Sequence, residues 1–454
     1  MLFYSLILTF YLLFIWLTCR NIRYGIYLIL FFLPTYQIRY QIFGAPTTLL
    51  EGLIWLLFVI WLIKSKKERG LTFNPFKWVK NIFNSQISYL KTQNSIPREL
   101  RLPIILLLLA ATISVFTSPN LQSALGIWKA YFIEALLFFI VFVYNIKTCE
   151  HVKHAIRILG VLTIMIGLFA IYQKLTGAFI PNPFWAEEAT RRITTFFSYP
   201  NANVLLIVPI IFLTIGNLLT DKKFIFKSLN LLAIILSILT ILWTKSAGAL
   251  IAVIAGIICF LIFYKKTRLA TLLIITIASL TLLFTPALKN KIQNVLISTN
   301  EIHLSSQPTD LQIRVQQWRE TANLLKDRPI FGTGLSGYQT LIAPYHVNKH
   351  LEIFLYPHNF FLNFWTETGL LGLIAITWII IIFFWSAISK CSHALMLSCS
   401  HILTLTASCA MIALLIQGLV DAPYFKNDLA ILFWVMVGIL IVINNQINNS
   451  GRVA

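Results

Sequence analysis

Apolar runs of roughly 17–25 residues recur from one end of this chain to the other, and they leave few ways to fold it. A helix rising about 1.5 Å per residue needs about 20 such residues to cross a hydrocarbon core of about 30 Å. No water reaches the backbone there, so each span must close its hydrogen bonds within itself. Only 11% of the residues are charged and the mean hydropathy is +0.79. These features predict an all-α, polytopic membrane protein. The runs fall at 2–19, 24–36, 46–63, 101–117, 126–145, 155–173, 203–219, 229–243, 247–264, 268–285, 359–388, 394–420 and 428–444. The second is short and contains Pro34, so the expectation is 12–13 transmembrane helices. The first has neither a basic leader nor a small-residue cleavage site, so no cleavable signal peptide is expected.

The net charge of +20 could suggest a nucleic-acid partner, but its distribution argues otherwise. One set of alternating loops, with Arg452, holds 22 of the 36 basic residues against only Glu68, Glu99, Glu150 and Asp221 as acids. That asymmetry is a positive-inside signature, which assigns these loops to the cytoplasm and the opposite set to the exterior. The cysteines lie in spans or on the cytoplasmic side, so no disulfide framework is expected. Cys391, His393, Cys399 and His401 lack a CxxC pair and do not read as a metal site.

The longest cytoplasmic stretch, 64–100, reads as an amphipathic segment on the inner leaflet, with Phe76, Trp78, Val79 and Ile82 among lysines. Two exterior loops stand out, 173–203 and 286–358. A long loop in a compact protein is usually functional or structured. In the second, Pro308-Thr309-Asp310 offers a helix start, and Leu311, Val315, Trp318, Ala322 and Leu325 recur on one stripe. Gln312, Gln316, Arg319, Glu320 and Asn323 occupy the opposite face. Pro329 ends this amphipathic helix, and Gly332 and Gly334 allow a tight turn beyond it.

Polar residues gather at the mouths of spans on this exterior side. Arg191 and Arg192 precede the span at 203, Arg314 lies on the amphipathic helix, and Pro357-His358-Asn359 opens the span at 359. Singly, Arg314 reads as a phospholipid contact or a solvated charge, and His358 as a hydrogen-bonded helix cap. Together they suggest chemistry. Guanidinium forks suit phosphate oxygens, and a neutral imidazole suits proton transfer with a hydroxyl. Within the spans, Lys129 and Glu134 read as a structural pair or as the lining of a head-group cavity, together with Glu51. Asp421 and Asp428, flanking Pro423-Tyr424, read as solvated loop acids. No nucleotide loop, HExxH, GxSxG or paired-carboxylate motif stands in a suitable place, which speaks against a cation-dependent glycosyltransferase.

The order Arg314-xxx-Trp318, Pro329-Ile-Phe-Gly332-Thr-Gly334, His358-Asn359, Glu367-Thr-Gly369-Leu-Leu-Gly372 resembles the signature of the O-antigen ligase and O-antigen polymerase superfamily of bacterial envelope enzymes. Upstream, Arg192 with Phe197-Ser-Tyr-Pro200-Asn201 is similar to that family's Arg-x-x-Gly-x-Phe-x-x-Pro-Asn junction, although Thr195 stands at the glycine. Thr244-Lys-Ser246-Ala-Gly248 resembles its Ser-Arg-Gly-Ala turn, with Ala247 intervening and Lys245 the only nearby base. Gly418-x-x-Asp421 resembles its last outer turn. The resemblance implies N-terminal helices over 1–100 and a ligase/polymerase-like domain over 101–445. It also implies a GT-C-type fold and a multi-pass location in the cytoplasmic membrane, with the site facing the periplasm or exterior.

The implied activity is inverting transfer of a glycan from an undecaprenyl-diphosphate carrier to a hydroxyl of an acceptor glycan or glycolipid, with no metal, nucleotide or other cofactor. Coupling to a flippase or chain-length regulator is an implied partnership. His358 and Arg314 are the implied catalytic residues, and Arg191, Arg192 and Arg314 the diphosphate ligands. Trp318, Asn359, Gly332, Gly334 and Lys129 are the implied supports. A polymerase or ligase is favoured over a protein O-oligosaccharyltransferase, because no large exported domain is present to bind a protein. A lipid or polysaccharide flippase is the reading from another class, but its polar groups would sit at the midplane and not at the outer mouth.

Overall fold

The computed structural model describes residues 2–42, 44–69, 96–264, 267–273, 310–348, 351–391 and 398–450. It is a helical bundle: α1 (Leu2–Arg20), α2 (Ile22–Phe31), α3 (Leu49–Arg69), α4 (Arg98–Phe116), α5 (Leu121–Asn145), α6 (Cys149–Thr176), α7 (Pro200–Thr220), α8 (Phe224–Thr244), α9 (Ala247–Phe263), α10 (Asp310–Asp327), α11 (Phe360–Cys391), α12 (Cys399–Gln417) and α13 (Asn427–Ser450). Among the described residues, nine of these are long and apolar enough to cross a membrane: α1, α4 to α8 and α11 to α13. The expected spans 46–63 and 247–264 fall on α3 and the shorter α9. The expected span 268–285 lies outside the described residues from 274 onward, as do most of the 64–100 segment, residues 286–309 and His393.

The run at 24–36 is not a full span. Helix α2 stops at Phe31, Leu33–Gln37 form a 3-10 turn around Pro34, and a hairpin follows, β1 (Arg39–Ile42) against β2 (Ala45–Thr48). Ten helical residues rise about 15 Å, half of the hydrocarbon thickness. Proline supplies no N–H to continue the helix, and the chain turns back.

Burial inverts the pattern of a soluble helix. On α8, Leu231, Ile235, Ile238 and Leu242 are exposed along one stripe, while Asn230, Ala233, Ser237, Thr240 and Thr244 are buried on the other face. Lipid solvates the first face. The second brings small and hydroxyl-bearing residues against α6 and α7, where hydroxyls can bond to carbonyls of their own helix. Helix α7, 83% buried over its span, is the centre of the bundle, and α1, 17% buried, is its rim. Because α6, α7 and α8 alternate in direction, one end of the bundle gathers residues 176–200, the 244–247 turn and the α12–α13 turn. The other end gathers the start of α6 and the α7–α8 turn.

The amphipathic helix is present as α10, but it packs on a different face from the one its apolar stripe indicates. Gln316, Gln317, Glu320, Thr321, Leu324 and Leu325 are buried, while Leu311 and Ala322 are exposed and Val315 and Trp318 half-buried. The docking surface is mixed: Leu324 and Leu325 pack with Tyr338 and Ile342, while Glu320 accepts from the Val347 N–H and faces His346, each at 3.0 Å, and Thr321 bonds the Tyr338 hydroxyl.

Beyond α10 the two glycines are structural necessities. Gly332 and Gly334 have φ of +62° and +74°, and a Cβ would lie 2.3 Å from the Thr366 carbonyl and 2.6 Å from the Ser118 nitrogen respectively. Their turn lies on a break in α11 at Gly369, where Thr333 N donates to Thr366 O at 2.7 Å and Leu370 N to Ile330 O at 2.9 Å. Glu367 accepts from Ser336 N at 2.6 Å. The two halves of the signature are therefore in direct contact.

Candidate functional site

Helix α10 fixes the turn that carries His358. Gln317 Nε2 donates to Tyr356 O at 2.6 Å, and the Trp318 indole donates to Pro357 O at 3.0 Å. On the other side Asn359 caps α11, its Oδ1 accepting from Phe361 N and Leu362 N at 3.1 Å, and its Nδ2 donating to Leu419 O. Between these anchors His358 is held at φ +46°, a left-handed conformation that costs a β-carbon residue on the order of 1–3 kcal/mol. The strain aims the ring. Phe354 meets it edge-on at 5.1 Å, and Nδ1 lies 3.3 Å from Asp421 Oδ1. An imidazole that donates from Nδ1 carries its free lone pair on Nε2.

Asp421 is a correction to the sequence reading, which took it for a solvated acid. It is only 7% exposed, and Asp428 is fully buried. Burial pushes the Asp421 carboxyl up, but the His358 ring, the Arg314 charge and the Ala422 N–H outweigh it and hold it below the usual carboxylate range. Its spacing from Gly418 was the available signal. The turn directs it inward because Gly418 O is tied to Phe360 N at 2.6 Å.

Arg192 comes from the opposite wall. Its Nε donates to Thr244 O at 2.9 Å, and its backbone N–H donates to Trp185 O. Burial lowers its pKa, and Asp310 pulls in the other direction. The chain reaches Arg192 through a pinned bend: Gln173 Oε1 accepts from Thr194 N and Thr195 N at 3.0 and 2.7 Å. Thr195 itself has φ of +52°, which gives the family's glycine at this place a physical reason. Thr244 O, which seats Arg192, belongs to the α8–α9 turn, where Lys245 is also left-handed at φ +53° and ends α8.

These pieces enclose a cavity of about 510 Å³, within the range of small-molecule sites. Arg192, Lys245, Arg314, His358, Asp421 and Gln417 line it, with Asn201, Ser246, Gly248, Asp310 and Gln317. Among the described residues the Arg314 guanidinium has no hydrogen-bond partner, so its donors remain available to a ligand. Arg192, Arg314 and His358, far apart in sequence, thus share one chamber.

Two residues grouped with the site in the sequence lie elsewhere. Arg191 does not line the cavity; its guanidinium donates to Ala186 O at 3.0 Å and Lys174 O at 2.9 Å, tying the 173–203 loop together. Lys129 does not pair with Glu134 either. It bonds Glu51 at 2.6 Å, while Glu134 accepts from the Trp55 indole at 2.8 Å. The stretch Trp128–Ile133 is π-helical, with the Glu134 N–H bonded to the Lys129 carbonyl, so the two residues lie one π turn apart; the Lys129 ammonium nevertheless closes on Glu51 of α3.

A many-span bundle whose chamber at one end sets Arg192, Lys245 and Arg314 among apolar side chains defines a polytopic membrane protein with a basic cavity. Residues 232–377 match the family model of the O-antigen ligase, and this match supports a relationship to the O-antigen ligase and polymerase superfamily. The match takes in Arg314, Trp318, both turn glycines and His358. The chain is also similar to an uncharacterized protein of Haemophilus influenzae, 32% identical over 167 residues, which cover 33% of this chain and 40% of that relative. The similarity thus spans well under half of the relative's length.

Proposed function

We propose that this protein transfers a glycan from an undecaprenyl-diphosphate carrier to an acceptor hydroxyl, inverting the anomeric centre, at the exterior face of the cytoplasmic membrane. The observation that carries this reading is the meeting of Arg192, Arg314 and His358 in one cavity. The two arginines bind the diphosphate and stabilise the charge it gains as the glycosidic bond breaks, in place of a divalent cation. His358 Nε2 takes the proton of the acceptor hydroxyl while its oxygen forms the new bond to the anomeric carbon; the electron pair of the old bond leaves with the diphosphate. Asp421, at 3.3 Å from Nδ1, fixes the tautomer and stabilises the imidazolium. The scaffold is of the GT-C kind, and the acceptor is a glycan or glycolipid, as for a polymerase or ligase.

The test is a deletion strain. Carrier-linked glycan should accumulate, and wild-type protein should clear it. Arg314→Ala, stably inserted, should transfer about 10²–10³-fold more slowly. Lysine should rescue only in part, because it lacks the bidentate fork. Near-normal transfer by Arg314→Ala removes the clamp role.

A further inference from the structure

The proposed transfer gives no role to the buried amide of Gln417. Gln417, the last residue of α12, is 2% exposed and lines the cavity beside Asp421. Its Oε1 has no hydrogen-bond partner, and among the described residues its Nε2 makes no hydrogen bond either. A buried amide left unpaired is costly, and such groups are normally satisfied. Its position is also well fixed: the next residue, Gly418, accepts from Phe360 N at 2.6 Å, and Leu419 O accepts from Asn359 Nδ2 at 3.1 Å. The amide is thereby held against the same turn that carries His358.

A carboxamide presents one acceptor and one two-hydrogen donor side by side. Neighbouring hydroxyls on a sugar ring offer the reciprocal pair, one O–H to donate and one oxygen to accept. A phosphate offers only acceptors and suits the arginines on the other wall. We propose that Gln417 is a sugar-recognition residue, binding a vicinal hydroxyl pair, or a hydroxyl and acetamido pair, of a pyranose placed next to His358. This rests on the glycan-transfer reading and adds the residue that selects the sugar. The pyranose belongs either to the acceptor or to the carrier-linked donor, and binding measurements separate the two.

The full chain in lipid nanodiscs is titrated with farnesyl diphosphate, with farnesyl-diphosphate-linked N-acetylglucosamine, and, with farnesyl diphosphate saturating, with the methyl glycosides of glucose, galactose and N-acetylglucosamine. Gln417→Met, which keeps length and loses both hydrogen bonds, should leave farnesyl diphosphate affinity unchanged. It should weaken one sugar arm by about fivefold to tenfold. Loss confined to the linked sugar assigns Gln417 to the donor; loss confined to the glycosides assigns it to the acceptor. Gln417→Glu, which keeps an acceptor, should weaken that arm without changing which arm it is. Equal sugar binding by wild type and Gln417→Met, or no sugar binding by wild type in either arm, overturns the inference. Failure of farnesyl diphosphate to bind, with no response to Arg314→Ala, instead overturns the transfer reading beneath it.

Discussion

Where α7 ends, Asp221 is surrounded by donors: Lys153 Nζ at 3.0 Å, Arg157 Nε at 3.2 Å and Asn230 Nδ2 at 3.1 Å, while Lys153 also reaches Glu150 at 2.9 Å. At the other end of the bundle, Arg192, Lys245 and Arg314 face one chamber whose only carboxylates among the lining residues are Asp310 and Asp421, and Asp421 is engaged by His358. Arg192 rests on a carbonyl, which orients a guanidinium without neutralising it. The first cluster closes its own charges and holds helices together. The second leaves positive charge facing the cavity, the electrostatic arrangement on which the proposed diphosphate binding rests. An arginine count would not distinguish the two ends; the partners do.

The comparison fails first if the chamber is inert. His358→Ala should slow transfer by about 10²–10⁴-fold while carrier binding persists, because a general base contributes on that scale. His358→Gln keeps hydrogen bonding without basicity. Activity as low as in Ala supports the base, and activity near wild type makes the ring a positioning group. Asp421→Asn should fall between these, since it keeps a partner for Nδ1 but not the charge that stabilises an imidazolium.

At the opposite end the effect should be on stability. Asp221→Ala leaves Lys153 and Arg157 buried without their shared carboxylate, a loss of about 3–5 kcal/mol for a broken buried pair. The folded fraction should keep its specific activity; a large fall in turnover at unchanged thermal midpoint would blur the contrast between the two ends. The pH dependence has a definite sign. Burial raises the Asp221 pKa, but Arg157 and Lys153 outweigh burial and hold it below 3.8. Its stabilisation is therefore complete above the ordinary carboxylate range and is lost as pH falls through the depressed value. Thermal midpoints of detergent-solubilised protein should fall on that acid limb for wild type, and less so for Asp221→Asn.

Much of this was readable in the sequence, for reasons that also mark where reading stopped. Apolar runs announce helices because lipid leaves the backbone no other arrangement, so the long spans fall where hydropathy puts them. The packing face of α10 was not readable. An apolar stripe marks the buried face only where the surface opposite is apolar, whereas α10 also meets a carbonyl, an N–H and a phenol that engage Gln317, Glu320 and Thr321. Lys129 has Glu134 as its neighbour in sequence, but its partner Glu51 comes from α3, a contact between helices that sequence spacing does not reveal. Asp421 looked like any acid in a short turn. Only the tie between Gly418 and Phe360 reveals that the turn folds inward onto His358.

The smallest expected effect has the opposite sign and probes the approach to Arg192. Thr195 sits three residues beyond it at φ +52°, pinned by Gln173, with its buried hydroxyl lacking a hydrogen-bond partner among the described residues. A left-handed β-branched residue costs about 1–2 kcal/mol, and glycine returns about 0.5–1 kcal/mol of that through its more flexible unfolded chain. Thr195→Gly should therefore stabilise the protein by about 1 kcal/mol, seen as a raised thermal midpoint, with transfer unchanged because Gln173 still bonds the backbone. Thr195→Ala separates the two contributions: it discards the unpaired hydroxyl but keeps the β-carbon in the strained conformation. A gain in Gly that exceeds the gain in Ala identifies the backbone as the source. Equal gains point to the hydroxyl. A loss in Gly means that the packing of the Thr195 side chain outweighs the strain at this bend. A loss of transfer with it would mean that the bend, and not only the Thr244 carbonyl, sets the aim of Arg192.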